Sequence, residues 1–278
     1  MHDVRPRRLV EASHNTPLPS LPPSSYMFIP MLVVISGASR GIGLAFASQL
    51  LRRSSDSVIV AASRSGMSPE LEKLQADFGA DRVRPVTCDI TSQEQCQAMA
   101  DQIRAEHGKR PIDMLLNVAG VLHEAGSSGM MPERSLRSID ADEMQRVIAT
   151  NAIGPVLVTQ ALVPQLGRKA RIGNVSARVG SIGDNRLGGW WSYRMSKAAL
   201  NMATVNMALE LKRKEVIAVA LHPGTTDTGL SEPFQKNVKP EKLFTADYSA
   251  GAMLDVLTGL EIGDSGKFFA YDGSPIEF

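Results

Sequence analysis

Leu32-Val33-Val34-Ile35-Ser36-Gly37-Ala38-Ser39-Arg40-Gly41-Ile42-Gly43 is an apolar run that breaks into glycines and continues as a helical stretch, Ile42–Arg53. A short uninterrupted apolar run closed by a turn reads as a strand covered on both faces. The glycines permit a tight turn and a close approach of backbone to a pyrophosphate. The helix start behind them offers N–H groups and a partial positive charge. Such a loop is a dinucleotide signature only at the head of an alternating series of strands and helices, so the chain on either side decides it.

Downstream the alternation holds. Strands are expected at Val58–Ala62, Val83–Val86, Ile112–Asn117, Arg171–Ser176, Val216–Leu221 and Lys267–Tyr271. Helices are expected at Pro69–Phe78, Ser92–His107 with Ser92 as its cap, Tyr193–Arg213 and Asp247–Leu257, plus one from about Asp140 to Leu166 kinked at Gly154-Pro155. Strands alternating with helices of this length imply parallel βαβ units with right-handed crossovers, an α/β architecture. No linker or repeat divides 27–278, which reads as a single domain.

Upstream the character changes. Residues 1–26 open with Arg5, Arg7 and Arg8 and crowd Pro17, Pro19, Pro22 and Pro23 into their second half. They read as a disordered extension, with organelle targeting as the competing reading. Were Met27–Ile35 the hydrophobic region of a secretory signal, cleavage after it would destroy the glycine motif. No apolar run reaches the roughly 18–20 residues needed to span a bilayer, so a cytoplasmic protein without a membrane partner is expected.

Composition narrows the function. The chain has 278 residues, 43% hydrophobic and 21% charged, with 30 Lys+Arg against 29 Asp+Glu. A net charge of +1 and 5% aromatics give no basic footprint and no stacking platform for nucleic acid. Cys88 and Cys96 have no companions at metal-ligand spacing, so no metal is expected.

The second strand ends Ala61-Ala62-Ser63-Arg64, without the acid that would hold the ribose 2′-hydroxyl of NAD. Arg40 in the loop and Arg64 after the strand offer two guanidiniums to a 2′-phosphate, which predicts NADP(H). Tyr193 and Lys197, four apart on one helix, share a face about 5–6 Å apart at Cβ. A neighbouring ammonium is expected to lower the phenol pKa and make the tyrosine a general acid or base.

Taken in order, Gly37-Ala38-Ser39-Arg40-Gly41-Ile42-Gly43, Cys88-Asp89-Ile90, Asn117-Val118-Ala119-Gly120, Asn151, Asn174-Val175-Ser176, Tyr193-Arg194-Met195-Ser196-Lys197 and Pro223-Gly224 resemble the motifs of the short-chain dehydrogenase/reductase family over roughly 32–278. Within it, the stretch Ser176–Ser181 and the ending Gly266-Lys267-Phe268-Phe269 look like the C-factor-like or sniffer-like carbonyl reductases. The resemblance implies a three-layer, doubly wound Rossmann fold with a mostly parallel sheet of about seven strands. It also implies roles. Asp89, followed by Ile90, would bond the adenine amine; Asn117, Ala119 and Gly120 would line the cofactor. Lys197 would hold the nicotinamide ribose hydroxyls, and Asn151 would support a water that relays protons to it. Pro223, Gly224, Thr226 and Thr228 would flank the carboxamide. Relatives form homodimers or homotetramers.

One position departs from the family. Its catalytic serine falls three residues before the glycine matched to Gly180, and Ala177 stands there. Ser176, at the strand end, is the favoured replacement, with Ser181 as the alternative. His123 and Glu124, in a loop, could reach substrate but read more simply as solvated; Trp190 and Trp191 could wall a pocket or, equally, serve as core or interface aromatics. The expected function is an NADPH-dependent carbonyl reductase or alcohol dehydrogenase acting on a small carbonyl or alcohol, with Tyr193 as acid/base. The alternative is a non-catalytic NADP-binding redox sensor or signalling protein.

Overall fold

A computed structural model describes residues 31–122 and 132–278; the expectations for 1–26, His123 and Glu124 lie outside them. The first half runs β1 (Leu32–Ser36), α1 (Gly41–Arg53), β2 (Val58–Ser63), α2 (Pro69–Phe78), β3 (Val83–Thr87), α3 (Gln93–His107) and β4 (Ile112–Asn117). The second continues α4 (Ala141–Ile148), α5 (Gly154–Leu162), β5 (Leu166–Val175), α6 (Trp191–Glu210), β6 (Ile217–His222), β7 (Thr225–Thr226), β8 (Leu243–Phe244), α7 (Ala246–Gly259) and β9 (Phe268–Ala270).

Side-chain alternation explains the layers. Leu32 and Val34 enter one core with Met99, Ile103, Val158 and Leu162 of α3 and α5. Val33 and Ile35 enter the other with Phe46, Leu50, Leu71, Met253 and Leu257 of α1, α2 and α7. Both faces of β1 are therefore dry, which is why its sequence is apolar without interruption. Caps start the helices: Ser68 Oγ accepts the Leu71 N–H at 3.2 Å, and Ser92 Oγ that of Gln95 at 3.2 Å.

Seven strands form one sheet in the order β3-β2-β1-β4-β5-β6-β9, every neighbouring pair parallel. Chain order reverses between β1 and β4, so the crevice beyond their carboxyl ends is where a ligand belongs in this architecture.

Three features differ from expectation. The predicted kink is a π turn, Ala149–Ile153, immediately before Gly154-Pro155. A Cβ on Gly154 would meet Ile90 Cδ1 at 2.6 Å, so the glycine serves close packing there. β7 and β8 form a separate two-stranded parallel sheet that brackets residues 227–242. Finally, Ala141–Gln165 is one helical stretch long and apolar enough to cross a membrane, contrary to the sequence reading; 50% of its window is buried within this protein. It packs on α3 and α6, as a core helix does.

Candidate active site

Backbone geometry builds the glycine loop. Gly37 has φ 77° and donates to Ala62 O at 2.8 Å, tying the loop to the end of β2. A Cβ there would lie 2.6 Å from the Ala119 backbone, and one on Gly43 would lie 2.1 Å from Gly37 O. Gly41 takes φ 55° beside the Thr228 methyl, and Ser39 O accepts from Ser68 Oγ at 3.0 Å. Arg40 occupies the N-cap position of α1 in extended conformation with no side-chain bond to the helix, and the first turn carries no acid. A cradle that any Cβ would fill, opening on an uncapped helix start, fits a dinucleotide pyrophosphate.

Arg40 and Arg64 are exposed, Arg40 in this loop and Arg64 just beyond β2. The Asp89 carboxyl is held below its usual range, first by the Thr91 N–H at 2.9 Å, then by the Thr91 hydroxyl and the Arg64 guanidinium, with burial opposing. Arg64 and Asp89 thus share one corner. Ile90 is buried under Gly154, its side chain committed to the core.

On α6, Tyr193 and Lys197 are both buried, 8% and 4% exposed. Lys197 Nζ donates to Val175 O at 2.8 Å and stands 5.7 Å from the centre of the Tyr193 ring. The point a Cβ on Gly120 would occupy is 3.7 Å from Lys197 Nζ and 3.2 Å from Asn151 Oδ1, so the three residues enclose one corner. Asn151, in the π turn, is pinned there. Its Oδ1 accepts the Val121 N–H at 2.8 Å, and its Nδ2 donates to Val121 O at 2.7 Å and Ser196 Oγ at 3.0 Å.

Electrostatics at this pair differ from the sequence expectation. Burial pushes the Tyr193 phenol above its ordinary value. Burial also pushes the Lys197 ammonium down, to about 8. Desolvation penalises the charged form of each, which sets both directions. The phenol therefore keeps its proton at neutral pH, the state a proton donor requires.

The two candidate hydroxyls are placed differently. Ser176 Oγ donates to Asn201 Oδ1 at 2.7 Å, beneath α6. Asn201 lies two turns along the helix from Tyr193, about 12 Å at the backbone. Ser181 Oγ accepts the Asp184 N–H at 3.0 Å and donates to no described residue. Asn117 is buried in a ladder that sequence reasoning missed. Its Oδ1 accepts from Ser36 Oγ at 3.5 Å, its Nδ2 donates to Asn174 Oδ1 at 2.8 Å, and Asn174 Nδ2 donates to Thr204 Oγ1 at 2.8 Å. Spacing could have flagged it, since Ser36, Asn117 and Asn174 are the polar ends of three adjacent strands.

Beyond β6, Gly224 has φ 75°, and a Cβ there would meet the Phe244 ring at 2.7 Å. Thr226 Oγ1 is paired with Ser249 Oγ at 2.8 Å, and Thr228 sits over Gly41, so the post-β6 segment closes on the glycine loop. Trp190 packs edge-on to Tyr193 and, 4.9 Å between ring centres, against Phe234. His222, before Pro223, is pushed down to about 4 by burial and by Arg178, which leaves it neutral.

The profile of the family described as short chain dehydrogenase matches residues 31–239. A 1-hydroxy-2-glutathionyl-2-methyl-3-butene dehydrogenase of Rhodococcus sp. (strain AD45) is 33% identical over 248 residues, 88% of this chain and 99% of that protein. The C-signal protein of Myxococcus xanthus is 38% identical over 168 residues, 60% of this chain and 92% of its own. Among solved structures, the NADPH-bound carbonyl reductase from chicken fatty liver superposes with a TM-score of 0.78 at 29% identity, covering 90% of this chain and 100% of that one.

Proposed function

The chain belongs to the short-chain dehydrogenase family, and on that premise we propose that it is an NADP(H)-dependent oxidoreductase interconverting a small carbonyl compound and its alcohol. One observation carries the reading: the buried Tyr193–Lys197 pair opens on the Gly120 corner, next to a glycine cradle shaped for a dinucleotide. Bound NADPH supplies a hydride to the carbonyl carbon.

The chain's own residues do the rest. Gly37, Gly41 and Gly43 leave room for the pyrophosphate, with the α1 start donating N–H groups from Ile42 onward. Arg40 and Arg64 take the 2′-phosphate, and Asp89 the adenine amine. Ala119 and Gly120 bring backbone close to the cofactor, and Pro223, Gly224 and Thr228 close over its far end. Tyr193 donates its proton to the carbonyl oxygen in reduction and removes it in oxidation. Lys197 holds ribose hydroxyls and returns a proton to Tyr193 along the corner that Asn151 maintains. Ser181, whose hydroxyl donates to none of the described residues, is assigned to the carbonyl oxygen in preference to Ser176.

The test is NADPH oxidation by the purified protein over a panel of aldehydes, ketones and quinones. Turnover by the wild type, reduced at least about a hundredfold in Tyr193→Phe, is the expected result. Tight NADPH binding without turnover on any member would favour a sensor or signalling protein. Ala177, in place of the family's serine, is the observation on that side. Self-association belongs to the same proposal: Met195, Met202 and Leu209 are exposed at seven-residue spacing along α6.

A further inference from the structure

We propose that Glu133 is a positioning residue for Tyr193, acting through the first turn of α6. The inference rests on the catalytic reading of Tyr193. Glu133 is a carboxylate only 8% exposed, in the segment before α4, far from α6 in sequence. Its carboxylate accepts the Ser192 hydroxyl and, at 3.4 Å, the Ser192 N–H; its carbonyl accepts the Trp190 N–H at 2.5 Å. These bonds flank Tyr193 on its N-terminal side.

The helix needs them because it supplies no cap of its own. Trp190 stands at the N-cap of α6 in left-handed conformation, φ 50°, with no side-chain bond to the first turn. Gly188 and Gly189 before it have φ 63° and 67°, so three consecutive residues are left-handed. Two are glycines that tolerate this; a tryptophan there is strained and persists only if its surroundings hold it. Glu133 holds the backbone of that turn, and Phe234 holds the Trp190 ring. A negative charge at a helix N-terminus is also favoured by the helix dipole. With Ser192 fixed, the direction in which Tyr193 leaves the helix is fixed.

A structural cap alone would affect stability. A positioning residue affects the rate constant at unchanged cofactor affinity, because misplacing an acid by about 1 Å costs about a hundredfold. The experiment measures kcat, NADPH Kd and thermal midpoint for Glu133→Ala, Glu133→Gln, Ser192→Ala and Tyr193→Phe. Glu133→Ala should lower kcat about 10- to 100-fold with NADPH Kd held within about twofold. Glu133→Gln, which keeps an acceptor oxygen, should recover most of that loss. A folded Glu133→Ala enzyme with kcat close to wild type overturns the proposal, whatever its thermal midpoint. Should Glu133→Ala not fold, Ser192→Ala decides: a several-fold loss of kcat with NADPH binding intact supports the proposal, and an unchanged kcat overturns it. Tyr193→Phe separates the two readings. If Tyr193→Phe is inactive while Glu133→Ala and Ser192→Ala are normal, only the Glu133 assignment falls. If Tyr193→Phe is fully active, the catalytic reading falls and takes the positioning role with it.

Discussion

The Lys197 ammonium hangs from the Val175 carbonyl oxygen, 2.8 Å away, at the last residue of β5. That bond fixes the charge 5.7 Å from the centre of the Tyr193 ring, on a buried lysine. The pH dependence follows. Folded, Lys197 titrates at about 8; unfolded, a lysine titrates near about 10.4. Between these values the unfolded chain binds more protons, so this contribution to stability is lowest below about pH 8 and rises with pH across the window. Unfolding of the wild type and Lys197→Met from pH 7 to about 10 should show the wild type gaining on the variant. Carbonyl reduction should run the other way, since Lys197 loses its transferable proton as pH rises through about 8. A kcat profile flat to about pH 10 would count against the relay.

Ser176 and Ser181 should separate stability from rate. Ser176→Ala leaves Asn201 Oδ1 buried without its donor, at a cost of about 1–3 kcal/mol, with kcat/KM nearly unchanged. Ser181→Ala should lower kcat/KM about tenfold or more and barely move the melting midpoint. The reverse pattern would return the substrate bond to Ser176.

Cofactor choice should depend on Arg64. Arg64→Ala removes a charge-assisted bond of about 1.5–3 kcal/mol, so the NADPH Kd should rise about 10- to 100-fold while the NADH Kd stays put. Calorimetric titration of both nucleotides checks it; equal weakening would show that Arg64 is not reading the 2′-phosphate.

Gly43→Ala sets a methyl 2.1 Å from Gly37 O, a clash that only displacement of the loop can relieve. NADPH binding should be abolished and stability should fall. Nucleotide titration and thermal unfolding read the two effects.

The layers were legible because parallel strands buried on both faces are apolar until their ends; Val33 and Val34 look into opposite cores and are both valine. The commitment of the Ser176 hydroxyl was not, because its partner, Asn201, comes from α6, 25 positions on. Ser176 shares the face of Asn174, and both bond to α6, whereas Val175 between them packs in the core on the other side of the sheet. The π turn was seen only as a kink, since its partner is the backbone of Val121, thirty positions away. Thr225–Thr226 and Leu243–Phe244 are too short to show any period. The Tyr193 phenol was expected to be lowered by its ammonium neighbour; spacing reveals the neighbour but not how completely both are buried.

That two-residue pairing bears on how such a site changes over generations. Thr225 and Thr226 pair with Leu243 and Phe244, and Asp227 N–H reaches Phe244 O at 2.7 Å, so the segment between them is stitched shut at its root. Phe234, which touches Trp190 above the tyrosine, lies inside the stitch. Thr228, at the start of that segment, sits over Gly41, so it is the stretch beyond Thr228 that borders the tyrosine side of the site and not the glycine loop. Variation confined to that stretch would redraw the wall beside Trp190 while leaving the seven-stranded sheet as it is.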